Sequence, residues 1–366
     1  MVRRRYMDKD IIMPTTVIHT LRSTAPNSAL TRSSNVVTVT YLLNAINIKV
    51  GDTIVVSGVV PSSFNGKFTV TGTPTSNSYT YSQTGSDESS TTHGTSGGDY
   101  SLMSDWENAQ DGNLVTADEI RVLECYNDWP DGLENSCTMA TWTTDATRYP
   151  IIRAAANHGH GGLMGNGFKM KANGRVLDIQ ADYVVVEDIE MEHTGTSITT
   201  PVDISRTNCL INRCIITCPN ASRSSTYYVV SSSSASANST IRNCLIYSAN
   251  GRGTGTMYCN MYNNTIICDT YGIFTSATNS PIYKNNLIYL TGTQGTAILG
   301  SGTGNESYNA TSDSTATGVG AVTGITSTVF QDFANDDFRP VEASAVDGAG
   351  EDLSAFFTDD ITGATR

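Results

Sequence analysis

One six-residue pattern recurs five times between residues 184 and 290, and its spacing is uneven. The pattern runs apolar, polar, polar, small or polar, any, apolar. It reads VEDIEM at 186–191, INRCII at 211–216, IRNCLI at 241–246, MYNNTI at 261–266 and YKNNLI at 283–288. The starts fall 25, 30, 20 and 22 residues apart. Arrays of helical repeats hold a steadier period, roughly 33 to 47 residues. Uneven spacing suits a β-solenoid, in which one rung repeats and loops of different length leave its corners.

The pattern carries its own packing scheme. Stacked rungs place each side chain on its equivalent in the next rung. The fourth position holds Ile189, Cys214, Cys244, Asn264 and Asn286. The expectation is a stack with two thiols adjacent and two amides adjacent. An amide offers donors and acceptors, so stacked asparagines can satisfy one another along the axis. The apolar ends of the pattern (Val186, Ile211, Ile216, Ile241, Ile246, Ile266 and Ile288) are expected to fill the interior. No single rung buries its own apolar face, so several must stack.

Segments such as IRNCLIY and YKNNLIY resemble rungs of the right-handed parallel β-helix superfamily, which includes pectate lyases, polysaccharide hydrolases and phage tailspikes. The motif speaks for the fold and is silent on function. Clear rungs cover about a third of the chain, and weaker strands at 175–192 and 295–301 extend them. The resemblance implies an all-β chain built on a right-handed parallel β-helix over 99–328.

The flanks add modules. Residues 1–12 read as a tail and 13–33 as a first β-helix strand segment, with TTVIHTL at 15–21 as the strand. Residues 34–82 alternate densely and carry hairpin turn residues. They read as a small inserted β-barrel or β-sandwich, similar to modules of phage tail and virion proteins, followed by a Ser/Thr/Gly linker over 83–98. GGDYSLMSDWENA resembles the entry segment of many phage and bacterial β-helix proteins. There Ser104 and Glu107 suggest a capping box, and Trp106 and Ala109 share a helical face. A short helix is expected to plug the N-terminal end of the solenoid. Residues 329–366, with DFRP, SAVDGAG and DITGATR, resemble the segment that closes such solenoids and read as a C-terminal cap.

Composition narrows the function. Only 16% of residues are charged, and the formal net charge is −13. An acidic surface repels nucleic acid and anionic lipid, so neither is an expected partner. Arg3, Arg4 and Arg5 start no signal peptide, because Asp8, Lys9 and Asp10 follow them and Pro14 stops the short apolar run. No export address is expected, nor any membrane insertion. The eight cysteines form no CxxC pair and read as buried free thiols.

Enzymes of the resembling superfamily work through outward carboxylates, either as calcium ligands beside a basic residue or as glycosidase pairs. The densest acidic cluster is Glu187, Asp188, Glu190 and Glu192 with His193. Glu187, Glu190, Glu192 and His193 are the catalytic candidates if the chain is an enzyme. Glu187 and Glu190 are expected to face solvent on different parts of the rung, and no second carboxylate stack is visible. His158 and His160 in NHGHGG share a face if they lie on a strand, but no third zinc ligand is evident. A glycine-rich turn is the expectation there, and no metal or other cofactor is expected. Among the rung-region tyrosines, Tyr227, Tyr228 and Tyr262 are candidates for stacking on sugars. No P-loop, GxGxxG, GxSxG or HExxH motif occurs.

The expected function is that of a structural and binding protein of a bacteriophage particle, a tailspike-like fibre or a capsid decoration. Its location is then the virion. Its partners are other virion proteins and host surface polysaccharide, and tailspike-like resemblance implies a homotrimer. A polysaccharide lyase or glycoside hydrolase of the same fold is the alternative, marked by a carboxylate pair about 5 to 10 Å apart on one face. A bacterial surface adhesin is the third reading.

Overall fold

The structure is a computed structural model that describes residues 13–42, 46–196, 200–220, 228–236, 238–275, 281–300 and 305–365. The recurring pattern is a strand, a two-residue corner and a second strand. Its third residue takes a left-handed backbone in every repeat: Asp188 (φ 59°), Arg213 (52°), Asn243 (54°), Asn263 (54°) and Asn285 (57°). Asn and Asp tolerate this conformation better than other residues with a Cβ, which explains their frequency at the corner. A sixth repeat, ESYNAT at 306–311, turns at Tyr308 (φ 55°). It escapes the sequence pattern because Glu306 stands where the others have an apolar residue.

Residues before each corner lie in a first parallel sheet: Val185–Glu187, Leu210–Asn212, Thr240–Arg242, Asn260–Tyr262, Tyr283–Lys284 and Glu306–Ser307. Residues after it lie in a second: Glu190–His193, Ile215–Cys218, Leu245–Ser248, Thr265–Cys268, Leu287–Leu290 and Ala310–Thr311. A third parallel sheet collects Leu177–Ile179, Val202–Ile204, Tyr228–Ser232 and Arg252–Thr254. The chain visits the three sheets in rotation, an arrangement compatible with a β-helix-like solenoid. The seven apolar residues expected inside are all 0% exposed.

The fourth position forms the expected ladder, and Asn309 extends it. Asn286 Oδ1 accepts from the backbone N–H of Asn264 (3.2 Å) and from its Nδ2 (3.0 Å). Asn309 Oδ1 serves Asn286 in the same way, at 2.9 and 3.0 Å. Asn264 Oδ1 accepts from Cys244 N–H at 3.0 Å, and Cys244 Sγ lies 3.4 Å from Cys214 N. Each buried amide is therefore satisfied within the column.

At the N-terminal end β1 (Thr15–Leu21) pairs parallel with a strand of the first sheet more than a hundred residues on, Thr15 opposite Glu119 and Leu21 opposite Cys125. The excursion between them begins and ends at one point: Tyr100 N–H donates to Thr20 O and Arg22 N–H to Tyr100 O, both at 3.0 Å. It holds β2 (Ala25–Ser33), β3 (Val36–Tyr41), β4 (Thr53–Val60), β5 (Gly66–Thr75), β6 (Ser78–Ser82), β7 (Glu88–Ser89) and β8 (Thr92–Gly97). The order β3-β6-β5-β4-β8-β2 with β2 back on β3 is a closed six-stranded barrel with its own core, including Ile54, Phe64, Tyr79 and Tyr81. Two boundaries differ from the sequence reading. The module starts at Ala25, not at 34, because β2 pairs with β3 and β8. The expected linker supplies β8, whose small Ser96 fits inside the barrel against Tyr79 Oη and Asn27 Oδ1, both at 2.6 Å.

The short helix α1 (Met103–Gln110) buries Met103 and Trp106 in the end of the coil's core, with Trp106 5.4 Å from Trp142. The expected capping box is absent. Leu102 is the N-cap, and Glu107 turns inward to accept from Ala140 N–H (2.9 Å) and Trp142 Nε1 (3.3 Å). Burial pushes its carboxyl up from the ordinary value. Ala109 is exposed rather than sharing the buried face of Trp106.

The C-terminal residues depart most from expectation. They do not close an end; they run back along the side of the coil. Phe330 and Phe338 lie on the outer face of the second sheet with Ile215, Leu245, Ile267 and Leu287. Glu351 pairs with Lys284 at 2.7 Å, Phe357 lies beneath the Arg242 guanidinium at 4.7 Å, and Asp359 binds Arg213 and Asn212. The physical reason is the second sheet's outward side chains, which are apolar and need a cover.

Candidate functional site

The third sheet has the opposite outward chemistry. LDIQ at 177–180 and VDIS at 202–205 are the same short sentence 25 residues apart. Leu177, Ile179, Val202 and Ile204 are 0% exposed and point inward, so the two-residue period turns Asp178 and Asp203 outward. The parallel register sets them side by side, with Ser231 next in the column.

One arginine bridges the pair. Arg175 Nη1 lies 2.8 Å from Asp178 Oδ2 and 3.4 Å from Asp203 Oδ2. Two oxygens held by one nitrogen lie at most about 6 Å apart, and the two aspartates sit on neighbouring strands about 4.8 Å apart, near the short end of the spacing used by glycosidase carboxylates. Gln180 Nε2 donates to Asp178 Oδ2 (2.8 Å), and Ser231 Oγ and Ser205 Oγ donate to Asp203 (2.5 and 3.2 Å). Asp178 Oδ1 and Arg175 Nε are buried without a hydrogen-bond partner. Beside them opens a cleft of about 560 Å³ lined by Ser136, Thr138, Asn173, Gly174, Arg175 and Asp178.

Further along the axis the face becomes aromatic. Arg252 pairs with Tyr228 in the parallel register, three residues before Ser231 on that strand, and its neighbour Gly253 faces the core. Its guanidinium carbon lies 5.2 Å from the Tyr228 ring centre, 4.5 Å from Tyr271 and 5.8 Å from Phe274. Gly253 makes this possible: a Cβ there would lie 2.5 Å from Ile266 and 2.8 Å from Gly272 O, so the backbone is pressed against the core. Neighbouring turns are spaced by about 4.8 Å, so Asp178 to Arg252, three turns, covers roughly 14 Å.

The sequence candidates are distributed differently. Glu187 lies on the first sheet, where Asn212 Nδ2 donates to it at 3.1 Å. Glu190 points out from the second sheet but is only 2% exposed, contrary to the expectation of a solvent-facing acid. The loop ahead of it folds over, Gly165 N–H donates to its Oε2 at 2.7 Å, and burial pushes its carboxyl up to about 7. Glu192 pairs with Lys169 at 2.9 Å. His193 is fully buried; its Nδ1–H donates to Gly174 O at 2.8 Å, so it alone of the four touches the rim of the cleft.

Tyr227 lies outside the described residues. Tyr228 belongs to the aromatic end of the strip. Tyr262 is not open to a sugar, because Phe356 stacks on it at 6.4 Å and Phe357 lies 6.2 Å away. His158 and His160 lie in a turn with their ring nitrogens spent. His158 accepts from Asn127 N–H (3.1 Å) and donates to Asp52 (3.0 Å); His160 accepts from Gly162 N–H (2.9 Å) and donates to Arg213 O (2.7 Å). Among the described residues no three His, Cys, Asp or Glu side chains gather as a metal site.

The cluster that sequence reading missed is therefore Arg175, Asp178 and Asp203. Its signal was the LDIQ and VDIS echo, at the same 25-residue step as the first two rungs. Comparison with family models, with curated proteins and with solved structures finds no match to this chain.

Proposed function

We propose that this chain is a right-handed parallel β-helix of a bacteriophage particle, a tailspike-like fibre or capsid decoration, that binds host surface polysaccharide along the outer face of its third sheet. The observation that carries the reading is the axial strip from Arg175 and Asp178 through Asp203, Ser231 and Tyr228 to Arg252. Hydroxyl-binding carboxylates at one end and aromatic rings at the other are what a sugar chain needs: directional acceptors and flat apolar surface. The handedness follows the strong preference of parallel strand crossovers for the right-handed connection. A homotrimer and contacts with other virion proteins belong to the same proposal, on the resemblance of the rungs.

A second reading, a glycoside hydrolase, is favoured by one specific observation. Asp178 and Asp203 are register partners on neighbouring strands, bridged by one arginine. One experiment separates the two. Light scattering gives the mass of the protein, alone and with a panel of capsular and O-antigen polysaccharides, while polymer length is followed in the same run. A trimer that retains a polymer at full length supports the binding reading. Shortening of a polymer that stops in both D178N and D203N moves the site to hydrolysis. Binding that survives both substitutions and Tyr228→Ala removes the third sheet from the account.

A further inference from the structure

Two buried or half-buried arginines outside the acidic corner invite comparison. Arg22 joins the barrel to the coil, and all five of its N–H donors are spent. Nε and Nη2 bind the two Asp128 oxygens at 3.0 and 2.9 Å, Nη1 binds Asp52 (3.0 Å) and Thr53 O (3.3 Å), and Nη2 binds Asn47 O (2.8 Å). Its charge is matched by two carboxylates. That is how a structural guanidinium is normally accommodated.

Arg252 is only half-buried, and among the described residues no carboxylate pairs with it. Three aromatic rings surround it and its backbone is pinned by Gly253. Among the described residues its side chain makes one hydrogen bond, from Nη1 to Tyr228 Oη at 3.1 Å, and its buried Nε–H has no acceptor. No carboxylate among the described residues lies within ion-pair distance of it, although the chain carries 35 Asp and Glu against 22 Lys and Arg. In an acidic protein a rigid, half-buried cation without a counter-charge is a place prepared for an anion from outside. A guanidinium framed by rings has lost most of its freedom already, so little order is lost on binding.

We propose that Arg252, framed by Tyr228, Tyr271 and Phe274, is the subsite that takes the carboxylate of an acidic polysaccharide. The inference rests on the reading of the third-sheet face as a glycan surface and names the class of glycan. A uronate fits the frame: its carboxylate meets the fork of the guanidinium and its ring has Tyr228 or Tyr271 to lie on. The neutral hydroxyls of the following sugars then reach Ser231, Asp203 and Asp178 along the axis. Arg175 offsets one of the two carboxylate charges of Asp178 and Asp203, and two to three turns separate the pair from Arg252.

The test is calorimetric titration of the full chain with polygalacturonate and with dextran of matched length, at two salt concentrations. The wild type is expected to bind polygalacturonate at least about tenfold more tightly than dextran. Arg252→Met is expected to remove that preference, with the affinity for polygalacturonate falling to that for dextran. Arg252→Lys, which keeps the charge and the ring contacts but not the fork, is expected to fall between them and guards against a folding defect in the methionine variant. Equal affinity for the two polymers, or a preference that survives Arg252→Met, overturns the inference while the glycan surface stands. Failure of both polymers to bind overturns the inference and the surface together.

Discussion

Outward side chains of the second sheet are Ile215, Leu245, Ile267 and Leu287; those of the third are Asp178, Asp203 and Ser231. Both faces belong to one coil, rise by the same step per turn and share one interior. The second is covered by residues 329–340, whereas the third is lined by polar side chains, with Arg175 39% and Asp203 18% exposed. The difference teaches that a stacked sheet assigns roles by column. An apolar column asks for a covering segment and contributes stability. A polar column with fixed geometry is where the proposed function puts recognition, and its substitution is expected to cost the fold less.

The sharpest way to break the comparison is on the covered face. Phe338→Ala removes a ring that is 4% exposed and is expected to cost about 3 to 5 kcal/mol, read by thermal or denaturant unfolding, without changing polymer binding. Next comes Glu190, whose carboxyl titrates near 7 in the fold against an ordinary 4.5. The folded state holds that proton more tightly, so stability should fall as pH rises from about 4.5 to 7 and then level off. Glu190→Gln is expected to flatten that fall, by up to roughly 3 kcal/mol at pH 8, with no gain at pH 4. Unfolding midpoints across this range, parallel for wild type and variant, would count against it.

A smaller effect is expected at Asp359. Burial raises its carboxyl, but the Asn212 hydrogen bond and the Arg213 guanidinium outweigh that and hold it below the ordinary range. Its contribution is therefore present above about pH 4 and lost as pH falls further. Asp359→Asn should cost about 1 kcal/mol at neutral pH, reduced by partial solvent screening, and the gap to wild type should close in acid. Smallest in stability is Asp203→Asn on the third sheet, within about 0.5 kcal/mol by unfolding because its ion pair with Arg175 is long, at 3.4 Å, and partly exposed. The same variant is expected to weaken polymer retention about tenfold. A large loss of stability there would erase the division between the two faces.

Much of the coil was legible because its signal is local. The corner needs an αL residue and the ladder needs an amide or thiol, and both recur at fixed places within six residues. The early strand at 15–21 was legible as well, since TTVIHTL is rich in β-branched residues. The third sheet was harder. Its strands at 177–179 and 202–204 are three residues long, and LDI alone does not announce a face. Glu190 was misread because an outward position in a strand says nothing of a loop that folds over it. The lateral course of the C-terminal residues was hidden for the same reason. Phe330 and Phe338 advertise burial, but the surface that receives them lies on strands far away in the chain.

The return of that segment along the coil bears on how the molecule is made. Arg213 leaves the ribosome 146 residues before the Asp359 that fastens it. At ordinary rates of synthesis that is an interval of roughly ten to thirty seconds. Throughout it the nascent coil has its turns but not its cover, and the row from Ile215 to Leu287 faces water. Whatever arrives first at that row, a chaperone or a neighbouring chain on the same message, competes with the segment that belongs there. The number of chains translated side by side thus becomes a variable in the yield of folded protein.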